Sequence, residues 1–189
     1  MPYIAAPKMQ GKSPASAPPP ATLYEVCFAG GILQRGFWLY VWEITSPDAV
    51  VLYYVGRTGD SSSTKAQSPF NRMGQHLGFA RNSNMLRRHL KEHAVEPEAC
   101  VFRLVALGPL EEESTTATRE EHDERRDLVA AMEMALAELL ENAGGHVMNR
   151  VVSRKPLDAT RFAQVRAEFA KVFPKLAGFD IGSPLGRGM

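Results

Sequence analysis

The chain has 189 residues, a net charge of +1, and a composition of 44% hydrophobic and 23% charged residues. This length accommodates one domain, and these fractions are typical of globular proteins, which excludes a wholly disordered chain. No apolar run reaches the roughly 20 residues that a membrane helix needs, so we expect no membrane partner.

The first 21 residues are rich in Pro, Ala and Ser and lack the continuous apolar core of a secretory signal. Such a composition buries too little apolar surface to offset the entropy lost on ordering. We therefore expect a disordered tether over 1–21, a single domain over 22–175 and a flexible tail over 176–189.

Cys27 and Cys100 are the only cysteines, and each lies in an apolar, strand-like segment. This context is typical of reduced core cysteines in a cytosolic protein rather than of a disulfide scaffold. We therefore expect a cytoplasmic protein.

Four short runs rich in Val, Leu, Tyr, Phe and Trp are bounded by Gly, Pro, Ser or Asp, which predicts strands. They span 23–28, 37–44, 50–55 and 100–107. The turn sequence Thr45-Ser-Pro-Asp48 predicts that the second and third strands form a hairpin.

Three segments have the apolar spacing of helices, and they span 85–93, 118–142 and 158–173. Ser83 is placed to cap the first of them, and Gly144 follows the end of the second. Strands and helices do not alternate regularly, so a doubly wound fold is disfavoured. The order predicts an α+β fold, with a small, mainly antiparallel sheet of three to four strands flanked by helices.

One ordered set of polar and aromatic residues spans about residues 37 to 150. It comprises Trp38-Leu-Tyr40, Tyr54-Val-Gly-Arg-Thr58, Arg72, His76, Glu133 and Asn149. This set resembles the GIY-YIG nucleases, which carry two strands with a tyrosine each, the second ending in Gly-Lys/Arg-Thr/Ser. An arginine with a His or Tyr four residues later, a helical glutamate and a late asparagine follow in that family.

Two features depart from the family pattern. Trp38 stands where the family has its first glycine, a residue that permits a close approach which indole does not. The interval between Gly56 and Arg72 is long, and its polar part, 60–68, is predicted to be an exposed insertion. Neither departure removes a side chain for which the resemblance implies a role.

Phosphodiester hydrolysis needs an activated water, stabilisation of charge on the phosphoryl oxygens and help for the departing oxyanion. The resemblance implies that Tyr40 or His76 takes part in deprotonating the water, that Tyr54 orients the nucleophile or the phosphate, and that Arg57 and Arg72 hold the scissile group. Arginine suits that task because its planar fork contacts two phosphate oxygens. An unperturbed tyrosine, with a pKa near ~10, is a poor base, so the identity of the base stays open.

Glu133 is the metal ligand that the resemblance implies, for Mg²⁺ with Mn²⁺ as a substitute. It stands between two methionines beside the apolar stripe of its helix, where a carboxylate is costly unless it is paired or bound to metal. The alternative is an edge position that reaches water, and Glu138 and Glu141 are rival carboxylates. For Asn149, a site role and closure of a turn both stay open.

The resemblance implies a metal-dependent endonuclease that hydrolyses DNA, with basic side chains as phosphate contacts. These are Arg81, Arg87, Arg88 and Lys91. The alternative is a non-catalytic nucleic-acid-binding or protein-interaction module that retains the fold. The sequence contains no evident zinc finger or helix-turn-helix. Either the terminal helix and the insertion contact DNA directly, or a homodimer or a separate DNA-recognition partner supplies specificity.

Overall fold

A computed structural model of the protein describes residues 21–59, 65–80, 84–113 and 118–178. Within these ranges the fold is α+β, with one four-stranded mixed sheet in the order β3-β1-β2-β4. The strands are β1 (Gly36–Thr45), β2 (Val51–Arg57), β3 (Val101–Glu112) and β4 (His146–Val147). The predictions for 37–44, 50–55 and 100–107 are confirmed.

The sheet combines two antiparallel pairs with one parallel pair. β1 pairs antiparallel with β2 on one side and with β3 on the other. β4 pairs parallel with β2, through the partners Leu52↔His146 and Tyr53↔Val147. Parallel neighbours need a long crossover connection, and the chain between β2 and β4 supplies one. The sheet is therefore mixed, and the expectation of a mainly antiparallel sheet holds only for its first three strands.

The predicted strand at 23–28 is wrong. Residues 21–29 have no regular secondary structure, and Leu23, Tyr24 and Val26 are exposed. A strand needs a neighbour for its backbone hydrogen bonds, and none of the four strands of the sheet pairs with residues 21–29. Cys27 is exposed and Cys100 is partly buried, so the expectation of core cysteines is also wrong.

In the described part of the chain four α-helices flank the sheet, and three of them begin at a side-chain cap. Ser68 accepts from the backbone N–H of Asn71, Thr118 closes a capping box with Glu121, and Asp158 caps the last helix. The helices are α1 (Pro69–Leu77), α2 (Met85–Glu92), α3 (Arg119–Asn142) and α4 (Ala159–Val172). The predicted helices are confirmed, whereas the cap proposed at Ser83 lies outside the described residues.

The sheet divides the core into two layers because successive residues of a strand face opposite sides. On one face, Leu39, Val41 and Val55 pack with α3 and α4. On the other face, Tyr40, Trp42 and Tyr54 pack with Leu86 and Leu90 of α2.

Several expectations concern the two ends of the chain and the insertion. Pro174–Gly178 forms a 3₁₀ helix, and its Leu176 is fully buried in the first layer, although the sequence assigns it to a flexible tail. Residues 1–20 of the tether, 60–64 of the insertion and 179–189 of the tail lie outside the described residues. In the part of the chain that is described, no helix is both long and apolar enough to span a bilayer.

Trp38 is accommodated by a glycine on the neighbouring strand. A Cβ at Gly108 of β3 would lie 2.7 Å from Cδ2 of the Trp38 indole, and Gly108 has a φ of 151°. The start of β1 therefore does lie close to a neighbouring strand. The glycine that permits this contact is Gly108 on β3, and the large side chain is Trp38 on β1.

Candidate active site

A buried hydrogen bond joins β1 to α1. The Tyr40 hydroxyl lies 2.6 Å from Nε2 of His76, and the two side chains belong to residues that are 1% and 2% exposed. The cap at Ser68 fixes the start of α1, so that His76 in its last turn meets the sheet. The sequence names Tyr40 or His76 as the residue that deprotonates the water, and the structure places these two side chains in contact.

Gly56 makes room for the ring of Tyr40. The two residues are register partners, and a Cβ at Gly56 would lie 2.5 Å from Cε2 of Tyr40. Real Cβ atoms do not approach a ring so closely, so any larger residue at this position must displace the tyrosine. The glycine of Tyr-Val-Gly-Arg-Thr is therefore required by the neighbouring strand rather than by its own backbone.

Arg72 lies one helical turn before His76 and bonds the same tyrosine. Its guanidinium hydrogen-bonds to the side chain of Tyr40, and its Nη1 also donates to Oε1 of Gln75 at 3.2 Å. Tyr54 completes the group, with its ring centroid 5.1 Å from that of His76. The structure thus brings Tyr40, Tyr54, Arg72 and His76 together, and we call these four residues the tyrosine cluster.

Burial dominates the protonation states in the tyrosine cluster. It raises the pKa of Tyr40 far above its usual value, although the charge and hydrogen bond of Arg72 act to lower it. Burial, with the Arg72 charge second, lowers the pKa of His76 from 6.5 to about 3. Both groups are therefore neutral at pH 7.

This neutral state allows the hydrogen bonds to be assigned. Arg72 only donates, so it donates to the Tyr40 oxygen, and the Tyr40 O–H is left to donate to His76 Nε2. Nδ1 of His76 then carries the ring hydrogen, and it is buried with no hydrogen-bond partner among the residues that the structure describes.

Arg57 and Glu133 form a second pair at the end of β2. Nε of Arg57 donates to Oε2 of Glu133 at 2.8 Å, and the two side chains are 17% and 15% exposed. Arg57 faces the α3 side of the sheet because strand residues alternate, whereas Tyr40 faces the other side. The negative charge of Glu133 nevertheless raises the pKa of Tyr40, so the carboxylate lies within electrostatic range of the tyrosine cluster.

The rival carboxylates on α3 do not share this environment. Glu138 and Glu141 are exposed to solvent, whereas Glu133 is half-buried. Glu133 is therefore the α3 carboxylate placed beside the candidate site.

Asn149 is bound to the backbone of β2. Its Oδ1 accepts from the Val55 N–H at 3.0 Å, and its Nδ2 donates to the Val55 carbonyl at 2.7 Å. The amide thereby continues the parallel pairing that ends at Tyr53↔Val147. The sequence left a site role and closure of a turn open for Asn149. In the structure its amide holds the backbone of β2 between Tyr54 and Gly56.

The predicted phosphate contacts differ in their availability. Arg87 stacks on Phe79, with Cζ 4.1 Å from the ring centroid, and forms an ion pair with Glu98, so its guanidinium is occupied within the protein. Arg88 and Lys91 are exposed on α2. Arg81 lies outside the described residues.

Sequence reasoning missed two residues that the fold brings to this region. The buried Thr58 hydroxyl accepts from the Trp38 N–H at 2.8 Å and donates to the Gly36 carbonyl at 2.5 Å, which ties the end of β2 to the start of β1. His89 of α2 lies 5.9 Å from Tyr54 between ring centroids. The Gly-Arg-Thr tripeptide is a signal for Thr58, but nothing local marks His89 as a neighbour of Tyr54.

The donor set of the candidate site can be compared with what a divalent cation requires. Mg²⁺ binds through one or two carboxylates and substrate phosphates while it keeps several waters. Glu133 supplies one such carboxylate, and among the described residues no three or more His, Cys, Asp or Glu side chains form a metal-binding group. The residues present therefore fit a cation held by one protein carboxylate and by substrate oxygens.

Comparisons with protein-family models, with curated proteins and with solved structures found no match to this chain. The resemblance to GIY-YIG nucleases therefore depends on the ordered residues of the sequence.

Proposed function

We propose that this protein is a metal-dependent endonuclease of the GIY-YIG type that hydrolyses phosphodiester bonds in DNA. The main support is the buried hydrogen bond of 2.6 Å between the Tyr40 hydroxyl and His76 Nε2, with Arg72 bonded to the same oxygen. Packing alone does not require a phenol, an imidazole and a guanidinium at one point. Proton transfer beside a phosphate gives each of these three groups a role.

In this proposal Tyr40 and His76 deprotonate the attacking water together. The water gives its proton to the Tyr40 oxygen while Tyr40 gives its own proton to Nε2 of His76. A bound phosphodiester brings a negative charge that offsets Arg72, and this raises the pKa of His76 from about 3 toward a value at which it accepts a proton. The tyrosine never needs to be a free phenolate.

Substrate binding also gives the water access to Tyr40. The Tyr40 side chain is buried and Arg72 is half-buried beside it. A phosphate is a stronger partner for a guanidinium than a neutral phenol is. We expect binding to draw Arg72 toward the phosphate and to open a path to the hydroxyl.

Arg57 and Glu133 form the second half of the proposed site. A phosphate competes with Glu133 for the Arg57 guanidinium, and the released carboxylate oxygen can then hold Mg²⁺ or Mn²⁺. The bound cation would supply further stabilisation of charge on the phosphoryl oxygens. The exposed Arg88 and Lys91 suit contacts with more distant phosphates.

The free thiols of Cys27 and Cys100 agree with a location in the cytoplasm, which we propose for this protein. A homodimer or a separate DNA-recognition partner is proposed as the source of sequence specificity.

Cleavage assays on duplex, branched and single-stranded DNA and RNA, with Mg²⁺ or Mn²⁺, test the function. We expect Tyr40→Phe, Arg72→Ala and Glu133→Ala each to slow DNA cleavage by about 100-fold or more, with circular dichroism unchanged. Tyr53→Phe is the matched control, because Tyr53 adjoins Tyr54 but faces the α3 side of the sheet, and it should cleave at the wild-type rate.

Two results would contradict this function. A wild-type protein that leaves every substrate intact with either metal, while still binding DNA, selects the non-catalytic module. Cleavage that all three variants retain would move the active site elsewhere.

A further inference from the structure

His89 extends from α2 toward the tyrosine cluster. Leu86 and Leu90 of α2 are fully buried against the sheet, and His89 lies beside this buried stripe with its side chain 19% exposed. Its ring centroid is 5.9 Å from that of Tyr54. His89 therefore borders both the candidate site and solvent.

A carboxylate orients the His89 ring. Nδ1 of His89 lies 3.2 Å from Oε2 of Glu92, one turn later on the same helix. In its protonated form an imidazole carries hydrogens on both nitrogens, so Nδ1–H faces the Glu92 carboxylate as an ion pair and Nε2–H is left to donate elsewhere. This arrangement places one proton donor beside Tyr54.

Tyr54 consequently lies between two histidines with different partners. His76, 5.1 Å away, accepts from the phenol of Tyr40, whereas His89, 5.9 Å away, is held by a carboxylate. Phosphodiester hydrolysis needs a base for the attacking water and an acid for the departing oxygen. His76 is engaged with Tyr40 on the base side of the proposed reaction, which leaves His89 as the second imidazole beside Tyr54 for the acid.

From this geometry we propose that His89 is the general acid of the reaction, oriented by Glu92, an inference that rests on the proposed nuclease function. The water oxygen forms a bond to phosphorus, the bond from phosphorus to the departing ester oxygen breaks, and that oxygen keeps the electron pair. It takes the proton from Nε2 of His89. The histidine is left neutral and regains a proton from solvent through its exposed edge.

A leaving group that needs no proton tests this role. The wild-type cleavage position is first mapped on a DNA duplex, and the same duplex is then made with sulfur in place of the departing bridging oxygen. A thiolate leaves without protonation, so loss of the general acid should not matter on this substrate. Rates are compared as the ratio of variant to wild type on each substrate, so that any change in metal affinity for sulfur cancels.

We expect His89→Gln to slow cleavage of the oxygen substrate by about 100-fold and to leave the sulfur substrate within about threefold of wild type. Glu92→Gln should show the same pattern more weakly, because it leaves the imidazole in place. His93→Gln is the matched control, since His93 is the C-cap residue of α2, one turn after His89, and its ring contacts His146 and the His89 carbonyl rather than Tyr54. It should equal wild type on both substrates.

Two outcomes would overturn the proposal while leaving the nuclease function intact. One is wild-type cleavage of the oxygen substrate by His89→Gln. The other is an equal loss on the oxygen and sulfur substrates, which would make His89 a packing residue. A wild-type protein that cleaves neither substrate instead refutes the nuclease function, and this inference is then refuted with it.

Discussion

Arg57 and Glu133, 76 residues apart in the chain, are joined by a hydrogen-bonded ion pair of 2.8 Å between Nε and Oε2. The pair links the end of β2 to the middle of α3 on the side of the sheet opposite Tyr40. It therefore has two properties that can be measured separately, its contribution to folding and its contribution to the reaction.

We expect Arg57→Ala and Glu133→Ala each to destabilise the protein by about 1–3 kcal/mol, because each leaves a half-buried charge without its partner. The double variant should lose less free energy of unfolding than the two single variants lose together. Urea denaturation of all three variants measures this coupling. Glu133→Gln keeps an acceptor for Arg57 and should fold well, yet its DNA cleavage should require far more Mg²⁺. Equal metal dependence for Glu133→Gln and wild type would contradict the assigned metal ligand.

The contact between Gly56 and the Tyr40 ring predicts that Gly56→Ala damages the site. The new Cβ displaces the ring from His76, so cleavage should fall by about 100-fold and stability by about 1–3 kcal/mol. Gly74→Ala is the matched control in α1, because a Cβ there meets nothing within 4 Å. It should stabilise the protein by about 0.5–1 kcal/mol. Similar cleavage rates for the two variants would contradict the proposed role of the Tyr40 ring.

The paired hydrogen bonds of Asn149 predict an effect on the Val55 amide. Asn149→Asp replaces the donor Nδ2 with an oxygen that faces the Val55 carbonyl, which should cost about 1–3 kcal/mol. Amide hydrogen exchange at Val55 should accelerate, and cleavage should slow because Tyr54 and Gly56 flank this residue. Slower cleavage with unchanged exchange at Val55 would show instead that Asn149 acts directly on the substrate.

The depressed pKa of His76 predicts that acid destabilises the fold. Between about pH 3 and pH 6.5, His76 binds a proton in the unfolded chain but not in the folded protein. The contribution of neutral His76 to the free energy of unfolding is therefore complete above pH 6.5 and is lost as the pH falls toward 3. For this one group the slope approaches about 1.4 kcal/mol per pH unit. His76→Gln retains an acceptor for Tyr40 but does not titrate. Urea denaturation from about pH 4.5 to 7 should therefore give a shallower dependence for the variant, and equal slopes would contradict the prediction.

Much of the secondary structure could be predicted because its causes are local. The apolar spacing of α3 and α4, with Thr118 and Asp158 as caps, acts within a few residues of the chain. The same local signals misled at 23–28, where a strand-like composition has no neighbour with which to pair. A composition rich in strand-forming residues is compatible with a strand, but the strand forms only where a neighbouring strand supplies backbone hydrogen bonds.

The sequence predicted which residues belong to the candidate site, but it did not predict how they are arranged in space. The order of Tyr40, Tyr54, Arg72 and His76 in the sequence indicates a shared site, and the structure brings these four side chains together. The division between two faces of the sheet could not be foreseen, because Arg57 and Tyr40 are placed by strand register and helix packing. The approach of His89 to Tyr54 depends likewise on how α2 packs against the sheet.

By itself the sequence determined α2, α3, α4 and the β-hairpin, and which side chains are available for chemistry, whereas α1 was not predicted. The tertiary structure alone decided the parallel pairing of β4, the hydrogen bonds between Asn149 and Val55, and the ion pair between Arg57 and Glu133. The physical reason is one of range. Helix periodicity, caps and turns act over a few neighbouring residues, whereas these contacts join residues far apart in the chain and form only once the two core layers have set the positions of the strands and helices.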